Sequence, residues 1–441
     1  MFPRLPACEA GPGELESLHA HMERQQGKAP QNGFVPAGYT YLGQFVDHDI
    51  TFDPMSKLDD LKDPHSLVNF RTPRLDLDSL YGGGPSDQPF LYDWPRSGEP
   101  GGTKLLVGGP GPLDDPAPAD LPRNQQGRAL IGDPRNDEHV IISQLHLLFI
   151  RFHNAVVDHL RAGGHPEEGL FDEAQRIVRW HYQWIVTHEY LPRVVGEKMA
   201  RVRRRYYRWR REPFIPVEFS GAAFRFGHSM ARAQYSIRDK RPDELERPKA
   251  LSLFEHLRGN SWLAANRVLR WDLFFDLKPL GAALAAQPSL AIDTSIAPPL
   301  YKLPDGKGAL PRLNLLRGRV LSLPSGQSIA TRMRARKLGE HELLPDGDIR
   351  GRARNLLLRS TPLWYYVLCE AARTLKDGQP TRESHLGPVG GRIVAEVLVG
   401  LLEGDPTSYL NATKPWEPHE LGVGPEFGMI DLIEFAGAAP G

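Results

Sequence analysis

The chain is short of cysteine, of net charge and of strand-like alternation, and each shortage excludes something. Among 441 residues only Cys8 and Cys369 are cysteines. Two thiols make neither a disulfide framework nor a four-cysteine zinc site. Any cross-bracing must come from the core or from other ligands. Lysine plus arginine number 54 and aspartate plus glutamate number 54, so the formal net charge is zero. That balance excludes nucleic acid as the main partner and a role as an acidic tail. The segment Met1–Pro6 carries no apolar signal core. No uninterrupted apolar run is long enough to span a bilayer. The expectation is a soluble, cytoplasmic protein, with non-classical export left open. A His-Glu-x-x-His motif is missing, which removes the commonest helical zinc-protease signature. There is no internal repeat.

Glycine (43) and proline (40) are plentiful, yet 18 Phe, 13 Tyr and 8 Trp remain to fill a core. That mixture predicts long loops rather than disorder. Two Pro/Gly-rich segments, 82–123 and 279–312, read as long ordered connections. Elsewhere helical spacing dominates. Leu145, Leu148, Phe149, Phe152, Val156 and Leu160 carry it through 138–161. Ala174, Ile177, Val178, His181 and Ile185 carry it through 170–190. Thr361-Pro362 reads as an N-cap with proline at the first helical position. The predicted fold is mostly α with little β, in one large domain over 1–441.

Five polar clusters stand out. Gly43-Gln44-Phe45-Val46-Asp47-His48-Asp49, if helical, sets Gln44 and His48 one turn apart on one face. Gly132-Asp133-Pro134-Arg135-Asn136-Asp137-Glu138 opens a helix, with Arg135 and Glu138 three apart. In Phe224-Arg225-Phe226-Gly227-His228, Arg225 and His228 share that spacing. Gly227 would let something bulky approach the backbone. Leu313-Asn314-Leu315-Leu316-Arg317 offers an amide that can accept a proton from a ligating histidine. Thr72, Asp76 and Asp78, with the Arg74 carbonyl between, space oxygen ligands as calcium wants them, and Asp49 can add one more. Taken singly, each cluster has a plainer reading as a charged turn or a satisfied core histidine.

Together and in this order they resemble the animal-type haem peroxidases of the peroxidase–cyclooxygenase superfamily. The resemblance runs over about 33–405. It rests on Gln-x-x-Asp-His-Asp at 44–49, Arg-x-x-Glu at 135–138, Phe-Arg-x-Gly-His at 224–228 and Asn-x-x-Arg at 314–317. Its implications are specific. His48 is the distal acid–base histidine, Arg135 the distal arginine, and Gln44 the distal glutamine that holds water or a halide. His228 is the iron ligand and Asn314 its partner. Arg225 and Arg317 pair with haem propionates. Asp47 and Glu138 match carboxylates that form ester bonds to haem b. Asp49, Thr72, Arg74 (through its carbonyl), Asp76 and Asp78 match a calcium site. The implied activity uses H2O2 to oxidise iodide, bromide, thiocyanate or small phenols through an oxo-ferryl intermediate.

The sequence departs from the family in two places. His139 stands where myeloperoxidase has a vinyl-linked methionine, so strong chloride oxidation is not expected. Arg225 stands three residues before His228, where cyclooxygenases carry a radical tyrosine. That weakens, without removing, a fatty-acid dioxygenase as the alternative. A third alternative is a non-catalytic haem- or membrane-binding protein. The basic, aromatic-rich run 201–211 (Arg201 to Arg211) suits weak contact with a membrane surface, or a solvated helix face with its aromatics on the core.

Overall fold

Helices whose apolar residues recur every three to four positions build most of the computed structural model. It describes residues 1–25, 32–51, 71–95, 101–238, 251–276, 286–375, 379–381 and 384–438. Helix α1 spans Pro12–Arg24. Helix α2 spans Ala37–Ile50 and buries eleven of its residues, His48 and Asp49 among them. Helix α3, Val140–Ala162, is the longest among the described residues. Helix α4, Leu170–Ile185, lies against α3. A four-residue helix α5, Gly227–Met230, packs against α2. Helices α6 (Leu310–Val320), α7 (Leu363–Ala372) and α8 (Pro388–Gly404) complete the scaffold around it. Buried apolar residues form one connected core from Phe2 to Ala436.

An aromatic cluster fixes α2 on its neighbours. Phe45 stacks on Phe149 of α3 with ring centroids 4.8 Å apart. Tyr182 of α4 meets both rings edge-on at 6.2 and 5.7 Å. Each such pair adds about 0.5–1.5 kcal/mol beyond the area it buries. His48 follows Phe45 by three residues, so this packing also sets where the imidazole points.

Strand β1 (Asn32–Pro36) leads into α2. Strands β2 (Gln234–Tyr235) and β3 (Leu251–Ser252) pair antiparallel, and β4 (Pro288–Leu290) pairs antiparallel with β1. The β1–β4 register puts Asn32 opposite Leu290 and Pro36 opposite Pro288. Gly38 lies just past this junction. A Cβ there would sit 2.5 Å from the Phe275 ring and 2.6 Å from the Phe274 carbonyl oxygen, so only glycine lets α2 start this close.

Several expectations need correction. Helix α4 ends at Ile185, and a π-helical turn, Val186–Tyr190, replaces the rest of the expected 170–190 helix. Thr361 is not the N-cap of α7. Pro362 holds that place, and the Thr361 hydroxyl donates back to the Leu357 carbonyl at 2.6 Å. Helix α3 is, by length and composition, apolar enough to cross a membrane, although most of it is buried in the core. The run 201–211 is a loop rather than a helix face. One Glu396 carboxylate oxygen accepts the backbone N–H groups of Arg205, Tyr206 and Tyr207 at 2.5–2.9 Å, and Tyr207 is buried. Within 82–123, Arg123 is buried in ion pairs to Asp120 (2.8 Å) and Asp137 (2.6 Å), which orders that connection. Residues 96–100 and 279–285 of the two Pro/Gly-rich segments lie outside the described residues.

Candidate active site

His48 lies in the last turn of α2 and is 6% exposed. Its Nδ1 is 2.7 Å from Asn136 Oδ1. An amide oxygen can only accept, so Nδ1 carries the proton and Nε2 keeps its lone pair. The other end of the same amide donates to His146 Nδ1 at 3.1 Å, which fixes which way Asn136 faces. Burial, reinforced by the Arg135 charge, pulls the His48 pKa down to about 4. The imidazole is therefore neutral at ordinary pH and set to take a proton at Nε2.

Arg135 belongs to a one-turn 3-10 helix, Pro134–Asp137, capped by the Asp133 side chain. Asp133 is fully buried and accepts from Arg135 Nη2 at 2.7 Å and from Arg71 Nη2 at 2.8 Å. These arginines overcome the burial penalty and hold its pKa down at about 2. Arg135 also donates to the carbonyls of His48 (3.1 Å) and Thr51. The guanidinium is thereby anchored to the C-terminal turn that carries His48.

Gln44 lies one turn before His48, as its spacing predicts. His139 Nε2 donates to Gln44 Oε1 at 3.0 Å. His139 is also the N-cap of α3, its Nδ1 accepting from Ile142 N–H at 3.2 Å. Asp47 is half-buried and contributes to the field on Arg225. Glu138 is exposed, and desolvation by the surrounding protein raises its pKa.

His228, in α5, is half-buried, and its Nδ1 is 2.9 Å from Asn314 Nδ2 in α6. The expected pairing is therefore present but reversed. The amide nitrogen donates, Nδ1 accepts, and the ring proton sits on Nε2. Ligation of a metal through Nε2 requires the Asn314 amide to turn over and present Oδ1. Burial first, then Arg225 and Arg317, push the His228 pKa down to about 3. Arg225 donates through Nε to the Ser220 carbonyl at 2.8 Å. Burial and the neighbouring Arg317 lower the Arg225 pKa to about 10. A Cβ built on Gly227 would meet no atom within 4 Å, so open space adjoins His228.

Asp49, Asp76 and Asp78 each bring one carboxylate oxygen within 4.8 Å of the others. Asp49 is fully buried, and its Oδ1 has no hydrogen-bond partner. Burial, then Asp76 and Asp78, raise its pKa. Burial lifts Asp78 to about 7 against the pull of Arg71. Thr72 Oγ1 donates to Asp76 at 2.8 Å. The Arg74 side chain leans toward Asp405 instead, at 3.9 Å, which leaves only its carbonyl for the expected role. Three crowded carboxylates with an orphaned oxygen fit a hard cation.

The structure thus brings the Gln44, Asp47, His48 and Arg135 group and the Arg225, His228, Asn314 and Arg317 group onto packed elements. Sequence reasoning missed Asn136, Asp133, His146 and the His139–Gln44 pairing. An aspartate just before Pro134 was a readable cap signal. Asn136 lies in the same polar cluster but nothing local ties it to His48, and His146 and the His139–Gln44 pairing had no local signal.

Comparison with known proteins identifies the family of the chain. The family model for animal haem peroxidase matches residues 51–344, more than half of the chain. This chain belongs to the animal haem peroxidase family. The chorion peroxidase of Drosophila melanogaster is 29% identical over 246 residues, 51% of this chain and 29% of that protein. The thyroid peroxidase of Sus scrofa is 29% identical over 183 residues, 38% of this chain and 20% of that protein. The chain spans less than a third of the length of such curated relatives. Among solved structures, peroxidase A from Dictyostelium discoideum aligns with a TM-score of 0.60 at 19% identity, covering 87% of this chain and 81% of that one. A fatty acid alpha-dioxygenase from Oryza sativa aligns at 0.64 and 17% identity, covering 97% and 79%. At these identities the structures show the fold alone, the mostly α fold expected from the sequence.

Proposed function

We propose that this chain binds haem b between α2 and α5 and works as a peroxidase on small electron donors. The observation that carries the reading is the pair His48 and His228. Both imidazoles are held neutral by burial, both pair through Nδ1 with an asparagine, and they sit on segments packed together. Storage of haem needs no second histidine of this kind. The remaining residues fit the group. Arg225 and Arg317 concentrate positive charge beside His228, and two propionates would relieve it. Gly227 leaves room there.

The haem iron, when bound, supplies the reduction of peroxide and the oxidation of the donor. His228 would ligate it through Nε2, with Asn314 turned to accept from Nδ1. His48 Nε2 takes the proton of the incoming peroxide and returns it to the departing oxygen. Arg135, held by Asp133, places fixed positive charge near the separating oxygens. Calcium on Asp49, Thr72, Asp76, Asp78 and the Arg74 carbonyl would tie the turn after His48 to the 72–78 loop. Asp47 and Glu138 supply carboxylates for ester links at the haem edge. After peroxide turnover, acid extraction should leave part of the haem attached to the peptides that carry them; full extraction would remove that role.

The favoured donors are iodide, bromide, thiocyanate and phenols. The test is rapid mixing of the haem-loaded protein with peroxide, followed by each donor in turn. The reading expects fast turnover with these donors and little with chloride. Oxygen uptake with linoleate in the absence of peroxide would favour the dioxygenase alternative instead. The position three residues before His228 is Arg225, which gives that route no tyrosine there.

A further inference from the structure

His139 stands apart from the residues whose roles follow from the family resemblance, yet both of its nitrogens are used. Nδ1 accepts from Ile142 N–H at 3.2 Å and so caps α3. With Nδ1 an acceptor, the ring proton must sit on Nε2, and Nε2 meets Gln44 Oε1 at 3.0 Å. Burial lowers the His139 pKa to about 3, so this tautomer persists at ordinary pH. The Tyr41 ring stands against His139 at 5.0 Å and 65°, which holds the imidazole plane. The helix cap thus dictates the tautomer, and the tautomer dictates which end of the Gln44 amide is tied down.

We propose that His139 is a positioning residue that fixes the Gln44 amide so that its NH2 group faces the pocket beside His48 as a donor for an anion. Gln44 and His48 share a face of α2, one turn apart. With Oε1 engaged, the sp2 geometry of the amide directs Nε2 away from His139. Among the described residues none takes a hydrogen bond from that nitrogen. An amide free to flip would present oxygen to an anion about half the time. A locked amide presents two N–H donors always. The ligand class is a monovalent anion, a halide or thiocyanate. This inference rests on the proposed haem pocket only for where the anion binds; the His139–Gln44 pairing stands without it.

Two substitutions separate the cap from the amide lock. His139→Asn keeps a strong capping side chain but is too short to reach Gln44. His139→Leu removes both contacts. In the haem-loaded protein, bromide and thiocyanate titrations read from the haem absorption band should weaken by about twofold in both variants, the cost of an amide that faces the anion with its donors only about half the time. Only His139→Leu should also lower the melting temperature, by about 1–3 °C. Wild-type anion affinity in His139→Asn would overturn the proposal. A second readout needs no haem. In haem-free protein labelled with nitrogen-15 histidine, the His139 signal should report the Nε2–H tautomer and should shift in Gln44→Leu. An Nδ1–H tautomer, or no response to Gln44→Leu, would also overturn it. Should the tautomer be as expected while the protein takes up no haem, the peroxidase reading and the anion role fail and the pairing alone survives.

Discussion

Replacing His48 with alanine is expected to slow the reaction of the haem-loaded protein with peroxide by about 10²–10⁴-fold, the usual contribution of a placed general base. Haem uptake should persist, because His228 lies on a different element. The size of the effect follows from how completely His48 is prepared. Its Nδ1–H is committed to Asn136, its neutral form is favoured by burial, and Arg135 is bound to its own carbonyl. The same burial sets the pH dependence. The His48 pKa is depressed to about 4, so the base stays competent until the pH falls through that value. The depressed folded-state value also means that the unfolded chain binds the proton more readily. His48 therefore contributes stability that is fully present above its ordinary value of about 6.5 and is lost as pH falls through about 4. Stopped-flow rates for the wild type and His48→Ala across this range check both statements. A mutant as fast as the wild type removes His48 from the chemistry.

Calcium removal should reverse the sign of the pH dependence of stability. Without a cation, burial raises Asp49, Asp76 and Asp78 above their ordinary value, neighbouring carboxylates of the trio add to the shift of Asp49 and Asp78, and Asp78 reaches about 7. The folded state then binds more protons than the unfolded one. Stability from these groups is fully present below about pH 4 and is lost as pH rises through about 7. With calcium bound, the carboxylates are held ionised and their folded values fall below the unfolded ones. Stability from these groups is then fully present above about pH 4 and is lost as pH falls below it. Calcium at a hundredfold excess over its dissociation constant adds about 2.7 kcal/mol. The loss should reach the catalytic group. Arg71 joins Asp78 (3.2 Å) to Asp133 (2.8 Å), and Asp133 anchors Arg135. Thermal melts at acid and neutral pH, with calcium or with EGTA, read the slope directly. Identical slopes, and an unchanged haem spectrum after verified metal removal, would exclude a cation from this site.

Much of this was legible in the sequence wherever the signal is local. The Gln44–His48 face, the alternating oxygens at 72, 76 and 78, and the apolar rows of α3 and α4 follow from helix or loop spacing within a few residues. Contacts made across the fold were not legible. Asn136 lies 88 residues from His48, and His139 lies 95 residues from Gln44. No periodicity connects such pairs; the packing of α2 on α3 does. The direction of the Asn314 amide is likewise decided by local hydrogen bonding, which residue identity leaves open. The loop at 201–211 was misread because interleaved aromatics suit a docked helix face, whereas the Glu396 carboxylate binds its backbone and holds it non-helical.

In the proposed function His48 and His228 flank one haem, with only His228 on the iron. The most direct test of this arrangement is titration of ferric haem into the wild type, His48→Ala and His228→Ala, read by the haem absorption band and by the iron–histidine stretching vibration of the reduced form. The account predicts one haem per chain in the wild type and in His48→Ala, with the iron–histidine vibration present in both. In His228→Ala that vibration is lost and haem is held weakly. Retention of the vibration in His228→Ala, or its loss in His48→Ala, would contradict it.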